Sequence, residues 1–273
     1  MMHLVSSPRL TFALVAMSAA LAVFVAGRDA RLPCRSGLVP QGARCCAEVA
    51  GPNACTSGID TRLAVPPARV RFAGGNVELR GQSFERSSAR NVAIDLESFL
   101  LAREEVRCAD ALAVLGSDAS AVTAKLCAGD ASRAAGGLRF ADAERICAAL
   151  EGRVPTEQEW ERAAGSGGTR YPWGETGATC RAAVWGLATG PCGHGLDGPD
   201  TAGARPGGAS PEGLVDLAGN VAEWVRTSEG PAVKGGDFTS YDASSLRVLA
   251  RRTPPPEVAD ARHGARCAFE TAR

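Results

Sequence analysis

Residues 153–164 read RVPTEQEWERAA, and this stretch states its own local structure. Thr156 and Glu159 have capping-box spacing: the hydroxyl accepts a free backbone N–H of a starting helix while Glu159 reaches back to the cap. Glu157, Glu159 and Glu161 crowd the end of that helix where the macrodipole is positive. Paired carboxylates also serve acid–base catalysis, but here capping accounts for them. Upstream, residues 140–150 place Ile146, Cys147 and Leu150 on one side of another helix, and Gly152 is its natural stop.

Working outward, the chain alternates from Arg69 through Val70, Phe72, Val77 and Leu79, which reads as a short hairpin turned at Gly74-Gly75. Val92-Ala-Ile-Asp-Leu reads as a further strand. Residues 100–114 read as an amphipathic helix, with leucine and valine at helical spacing. Downstream, residues 186–213 hold nine glycines and four prolines without periodicity; a loop of that length is either functional or disordered. Cys180 and Cys192 bracket its beginning. Trp160, Trp173, Trp185 and Trp224 surround it, so it is expected to pack near the main core.

The 273 residues suffice for one or two domains. Hydrophobic residues at 45% exclude wholesale disorder. Thirty basic and thirty acidic side chains cancel, and no basic stripe appears, so no nucleic-acid partner is expected. The 32 glycines and 16 prolines against 14 aromatics point to a loop-rich fold rather than a bundle or a Rossmann sheet.

Residues 11–27 carry no charge and follow Arg9, the layout of a signal peptide with small residues before a cut. An uncleaved anchor is the alternative, since a spanning helix needs about 20 residues. Either way the chain is expected to be exported, to the periplasm or outside the cell, or held at the inner membrane by residues 1–27 alone. Cys34 follows Pro33, not the small residue that precedes a lipidated cysteine. Ten cysteines, all after that segment and none in paired zinc spacing, read as disulfides. Four of them (Cys34, Cys45, Cys46, Cys55) fall in residues 28–65, too short for a core and expected to be stapled by their own bridges. Pro66-Pro67 marks the join to residues 66–273.

Residues 153–164, Tyr171-Pro-Trp-Gly, residues 213–224 (GLVDLAGNVAEW), Lys234-Gly-Gly-Asp-Phe and Ala265-Arg-Cys-Ala occur in one order. Together they resemble the formylglycine-generating enzyme, or sulfatase-modifying factor, family. Val70-Arg-Phe-Ala-Gly-Gly looks like its opening hairpin and Glu105-Val-Arg-Cys like its first helix. The resemblance spans residues 66–273 and implies a loop-rich α+β domain related to C-type-lectin-like folds. It implies a disulfide between Cys147 and Cys267. Cys180–Cys192 and Cys108–Cys127 are expected as further pairs from their nearness in the chain.

Members of that family oxidise a cysteine of a substrate chain to formylglycine with O2 and copper(I), held by two cysteines a few residues apart after the Gly-Gly motif. Here the stretch after Phe238 reads Thr-Ser-Tyr-Asp-Ala-Ser-Ser-Leu-Arg. Thiolates suit soft Cu(I) and serine is no substitute, so no catalytic residue is assigned and copper is not expected. Similar domains occur in iron-dependent sulfoxide synthases, whose histidines come largely from an additional domain; His194 and His263 stand alone here. Nothing in the spacing of Ser244, His263 and Asp242 supports a hydrolase. Two functions follow: an exported module that binds a protein, peptide or glycan, or a divergent protein-modifying oxidoreductase; whether a groove near Tyr241 and Arg247 is open bears on both.

Calcium is the remaining expectation. On a continuous helix Asp216 and Glu223 would lie about 10 Å apart along the axis at about 1.5 Å per residue, too far for one ion with ligands at about 2.3–2.6 Å. Gly219-Asn220 is a turn signal that would fold them together. The resemblance assigns the side chains of Asp216 and Glu223 and the carbonyls of Gly219 and Val221 to a calcium ion. A second family site is damaged: Asp197 is in place, but its asparagine partner is replaced near Ala183.

Overall fold

The computed structural model describes residues 38–41, 44–47, 67–80, 91–165, 168–187, 190–192 and 198–271. Residues 1–27, Cys34, Cys55, the side chains of Cys45 and Cys46, His194 and Asp197 lie outside them. Strands β1 (Leu38–Gln41) and β2 (Arg44–Ala47) form an antiparallel ribbon in which Pro40 faces Cys45.

The next four strands correct the expected hairpin. β3 (Arg69–Phe72) and β4 (Gly75–Arg80) do not pair with each other. Instead β4 pairs with β5 (Asn91–Leu96) and β3 with β6 (Phe99–Ala102), in one continuous antiparallel register from Arg80↔Asn91 to Arg69↔Ala102. The chain therefore runs straight through Gly74. Glycine is needed there for close approach: a Cβ would lie 2.7 Å from the Ser98 nitrogen and 2.8 Å from the Leu96 oxygen. Phe72 stacks on Phe99 across the ladder with centroids 4.9 Å apart, the cross-strand pairing that stabilises such a register.

β6 also removes half of the expected helix over residues 100–114. Leu100 and Leu101 pair with β3 on one side and with β11 (Ala268–Glu270) on the other. The helix that forms, α1, covers only Cys108–Leu115. Apolar residues at mixed spacing were compatible with both periods, and two flanking strands decided the matter.

α2 (Ala121–Leu126) is capped by the Ser120 hydroxyl, which accepts from the Thr123 N–H at 3.0 Å. α3 (Phe140–Ala149) and α4 (Glu157–Ala164) stand where the sequence places them. At the end of α3, however, Glu151 takes the left-handed conformation (φ 64°), while Gly152 packs against the Ala268 carbonyl. Thr156 accepts from the Glu159 N–H at 3.2 Å, and Glu159 Oε2 accepts from the Thr156 N–H at 2.8 Å. Arg153 grips the same carboxylate with two nitrogens, at 2.6 and 2.7 Å. Glu159 is thus structural.

A second sheet has the order β10-β7-β8-β9, with β7 (Ala222–Thr227) and β8 (Gly230–Lys234) as its central hairpin. β9 (Arg251–Arg252) is one edge, and β10 (His263–Gly264), parallel to β7, the other. Trp224 from β7 is buried with Leu138, Ile146, Cys147 and Phe269. Trp160 from α4 is buried with Phe72, Phe99, Leu101 and Leu217. The glycine-rich stretch contributes a single 3₁₀ turn, Pro206–Gly208, among its described residues, and Trp185 and Leu187 anchor its start beneath Phe238 and Leu246. Disulfides join Cys147 to Cys267, Cys108 to Cys127 and Cys180 to Cys192.

Candidate functional site

The segment entering β7 turns three times into left-handed backbone, at Asp216 (φ 56°), Gly219 (φ 82°) and Asn220 (φ 57°). Gly219 is required: a Cβ there would lie 2.3 Å from the Val184 carbonyl oxygen. Asparagine tolerates this region better than most residues, and its amide is fully used. Asn220 Nδ2 donates to Glu105 Oε2 at 2.6 Å, and its Oδ1 accepts from the Asp200 N–H at 2.8 Å. The turn brings Asp216 and Glu223 to one guanidinium, that of Arg266.

Arg266 is fully buried. It donates to Glu223 Oε1 from Nη2 at 2.7 Å and to Oε2 from Nε at 3.0 Å. Its other donors reach the carbonyls of Ala102 (3.0 Å) and Val215 (2.8 Å). The Trp160 indole N–H adds a bond to Glu223 Oε2 at 2.6 Å. Glu105 is buried beside them and accepts the Val221 N–H at 3.1 Å. Burial, reinforced by the charges of Asp216 and Glu223, pushes the Glu105 carboxyl well above its usual range, with Arg266 acting the other way. Burial likewise raises Asp216, whose Oδ2 accepts the Gly203 N–H. The other oxygen of Asp216, Oδ1, is buried with no donor.

Three carboxyl groups thus share one guanidinium; burial disfavours the ionised forms of Glu105 and Asp216, and a divalent cation would favour them. Asp216 fits the expected calcium set, because it presents an unused oxygen. Glu223 fits less simply, since Arg266 and Trp160 already occupy both of its oxygens. Among the described residues no three His, Cys, Asp or Glu side chains are placed to hold an ion on their own, so the carbonyls of Gly219 and Val221 would have to complete the shell. Glu105, Arg266 and Trp160 were missed as partners of this segment. Glu105 stood in a quoted motif, but nothing local ties it to a residue 115 positions away. At the second family site, Ala183 is buried and offers no side-chain oxygen.

The stretch after Phe238 forms a second constellation. Ser240 Oγ accepts the Asp237 N–H at 3.0 Å, and Ser245 Oγ donates to the Asp242 carbonyl at 2.6 Å. These are hydroxyls in turn-stabilising roles. Residues 239–247 contain no cysteine, so this stretch has no thiolate for copper and the family's copper site does not fit here. Asp242 accepts the Ser244 N–H at 2.8 Å, whereas His263 is buried edge-on to Trp224 with Nδ1 unpartnered; no hydrogen bond links these three into a triad. Tyr241 stands out at 62% exposure, and Arg247 is exposed too.

Behind the loop, Lys234 is completely buried and donates to Glu161 at 2.6 Å and Glu157 at 3.4 Å. Arg251 pairs with Glu157 at 3.3 Å, and Arg252 with Asp237 at 2.6 Å. Between β8, β9 and the 3₁₀ turn Ala243–Leu246 lies a cavity of about 280 Å³, bounded by Val233, Ser244, Ser245, Leu249, Arg251 and Arg252.

Residues 59–271 match the family model described as "Sulfatase-modifying factor enzyme 1-like domain". The chain is 35% identical over 149 residues to "Inactive C-alpha-formylglycine-generating enzyme 2" of Mus musculus, covering 48% of this chain and 47% of that protein. It is 32% identical over 148 residues to "Formylglycine-generating enzyme" of Streptomyces coelicolor, covering 42% and 46%. The matches therefore span just under half the length of these relatives. Among solved structures, PvdO from Pseudomonas aeruginosa superposes with a TM-score of 0.58 at 19% identity, over 75% of this chain and 95% of that one. This last likeness concerns the fold.

Proposed function

The chain belongs to the sulfatase-modifying factor family, and from that premise we propose that it is an exported binding module without formylglycine-generating activity, which receives a protein, peptide or glycan at residues 233–252. The observation that carries this reading is the donor set after Phe238: serine, threonine and tyrosine hydroxyls where the family places copper thiolates. Similarity to a relative named inactive supports it. The apolar segment 11–27 and the disulfides support export, since such bridges persist in oxidising compartments. The match to the Streptomyces coelicolor enzyme favours the second reading, a divergent protein-modifying oxidoreductase. One assay separates them. Incubation with copper(I), O2 and a peptide carrying the sulfatase cysteine motif is expected to leave the peptide mass unchanged; turnover well above a metal-only control would establish the enzyme.

Calcium is proposed as a brace for the turn before β7, held by Asp216 and Glu223 and by the carbonyls of Gly219 and Val221, with no part in chemistry. The cation would favour the ionised forms of Glu105 and Asp216, which burial disfavours. Calcium is expected to raise the melting temperature of the chain relative to chelator. Asp216→Ala is expected to remove that difference. Identical melting curves for the parent in calcium and in chelator would dismiss the ion.

A further inference from the structure

The cavity between β8 and β9 has an imbalance between donors and acceptors that says what fills it. Its neighbouring acceptors are engaged. Asp237 Oδ1 takes the Thr239 N–H at 2.9 Å and the Thr239 hydroxyl at 2.6 Å, and Oδ2 takes Arg252. Glu157 is shared by Lys234 and Arg251, and Glu161 takes Lys234.

Its donors are in surplus. A guanidinium carries five N–H donors. Arg252 commits one group, to Asp237, and its side chain stays 41% exposed. Arg251 holds Glu157 and Glu229 only through long contacts of 3.3 and 3.5 Å. Ser244 turns both its backbone N–H and its hydroxyl to Asp242, so the surplus lies with the two guanidiniums. A group entering between Arg251 and Arg252 must therefore supply oxygen acceptors.

The charge count narrows the choice. Lys234, Arg251 and Arg252 stand against Glu157, Glu161 and Asp237, three cations against three anions; Glu229 is 75% exposed and solvated. A neutral surround accepts one added negative charge at far less cost than two. That favours a monovalent carboxylate, whose planar oxygens match the guanidinium fork, over a phosphate dianion. Val233, Leu249 and Ala250 supply an apolar wall. The volume, about 280 Å³, lies just below the range of small-molecule sites and suits a group the size of one residue.

The geometry points to a carboxylate-binding subsite, formed by Arg251 and Arg252, that takes a carboxylate on a short apolar stem. This rests on the reading of residues 233–252 as a binding site and names the chemistry of its ligand. The source is either the free C-terminus of a peptide or a small free acid.

Calorimetric titration of the full chain tests it with four probes: acetyl-Ala-Ala-Leu as the free acid, the same peptide amidated, isovalerate and inorganic phosphate. The free-acid peptide is expected to bind at least about tenfold more tightly than the amide, the margin of one charge-assisted fork. Arg252→Gln is expected to weaken the acid by about tenfold and Arg252→Lys by less, because lysine keeps the charge toward Asp237 but loses the planar fork. Isovalerate matching the peptide acid would make small acids the source; isovalerate binding more weakly than the peptide would assign a peptide terminus.

Equal affinity for acid and amide, tighter binding of phosphate than of either acid, or no saturable binding of any acid overturns the subsite. So does an unchanged affinity in a folded Arg252→Gln. Should that variant not fold, Arg252→Lys takes its place, with a smaller loss expected and an unchanged affinity counting against the subsite. The two levels fail separately. Formylglycine production overturns the binding-module reading whatever the acids do, whereas absent turnover with acid and amide indistinguishable overturns only the subsite.

Discussion

Arg266→Ala is expected to destabilise the fold by about 3–5 kcal/mol, the cost of removing one partner from a buried ion pair. The loss has three parts. Glu223, 1% exposed, keeps its charge with only the Trp160 N–H left to hold it. The carbonyls of Ala102 and Val215 lose their donors. Asp216 and Glu105 lose the one cation that offsets them. Against a typical total of about 5–15 kcal/mol, a shift of this size removes a large share of the stability. The urea midpoint at constant m-value reads it directly, and a change under about 1 kcal/mol would mean that the pair contributes little beyond its own desolvation. Glu223→Gln keeps the shape and removes one charge, and is expected to cost less than Arg266→Ala. With Glu223 neutral the guanidinium still has the carboxyls of Asp216 and Glu105 as acidic neighbours, so the buried cation is not left alone.

Removing the Cys147–Cys267 bridge is expected to have an effect of the same order. The two cysteines lie 120 positions apart, and the chain-entropy relation gives about 5 kcal/mol for a loop of that size before strain is subtracted. Both are buried in the cluster around Trp224, so substitution also costs packing. The same relation gives about 3 kcal/mol for Cys108–Cys127 and for Cys180–Cys192, whose separations are 19 and 12. Paired Cys→Ala variants compared by urea unfolding should therefore rank with Cys147/Cys267 as the most damaging. A larger loss at Cys180/Cys192 would show that local packing rather than loop closure sets the contribution of these bridges.

The pattern of what could be read in advance follows the range of the interactions involved. The cap of α4 needs only Thr156 and Glu159, three positions apart. The turn before β7 needs Gly219 and Asn220, which are adjacent. Such features were legible because the partners are fixed by covalent spacing, whatever the rest of the chain does. The order of the motifs carried the fold class, α+β, through the family resemblance that it implies.

What tertiary structure alone decided lies where one stretch had two local solutions or where a charge needed a distant partner. Gly74 could turn a hairpin or let two strands pass closely, and the constant register from Arg80↔Asn91 to Arg69↔Ala102 chose the second. Leu100 and Leu101 suited a helix or a strand until β3 and β11 flanked them. Glu157 and Glu161 belonged to a helix N-terminus by sequence, yet they hold Lys234 and, for Glu157, Arg251 beneath the cavity. Glu223 stood in a motif assigned to calcium, and Arg266, 43 positions on, takes both its oxygens. Capping and turns are local and repeat wherever their residues recur. The partner of a buried charge is set by which elements dock, because only in the low-dielectric core does one pairing outweigh the many that water permits.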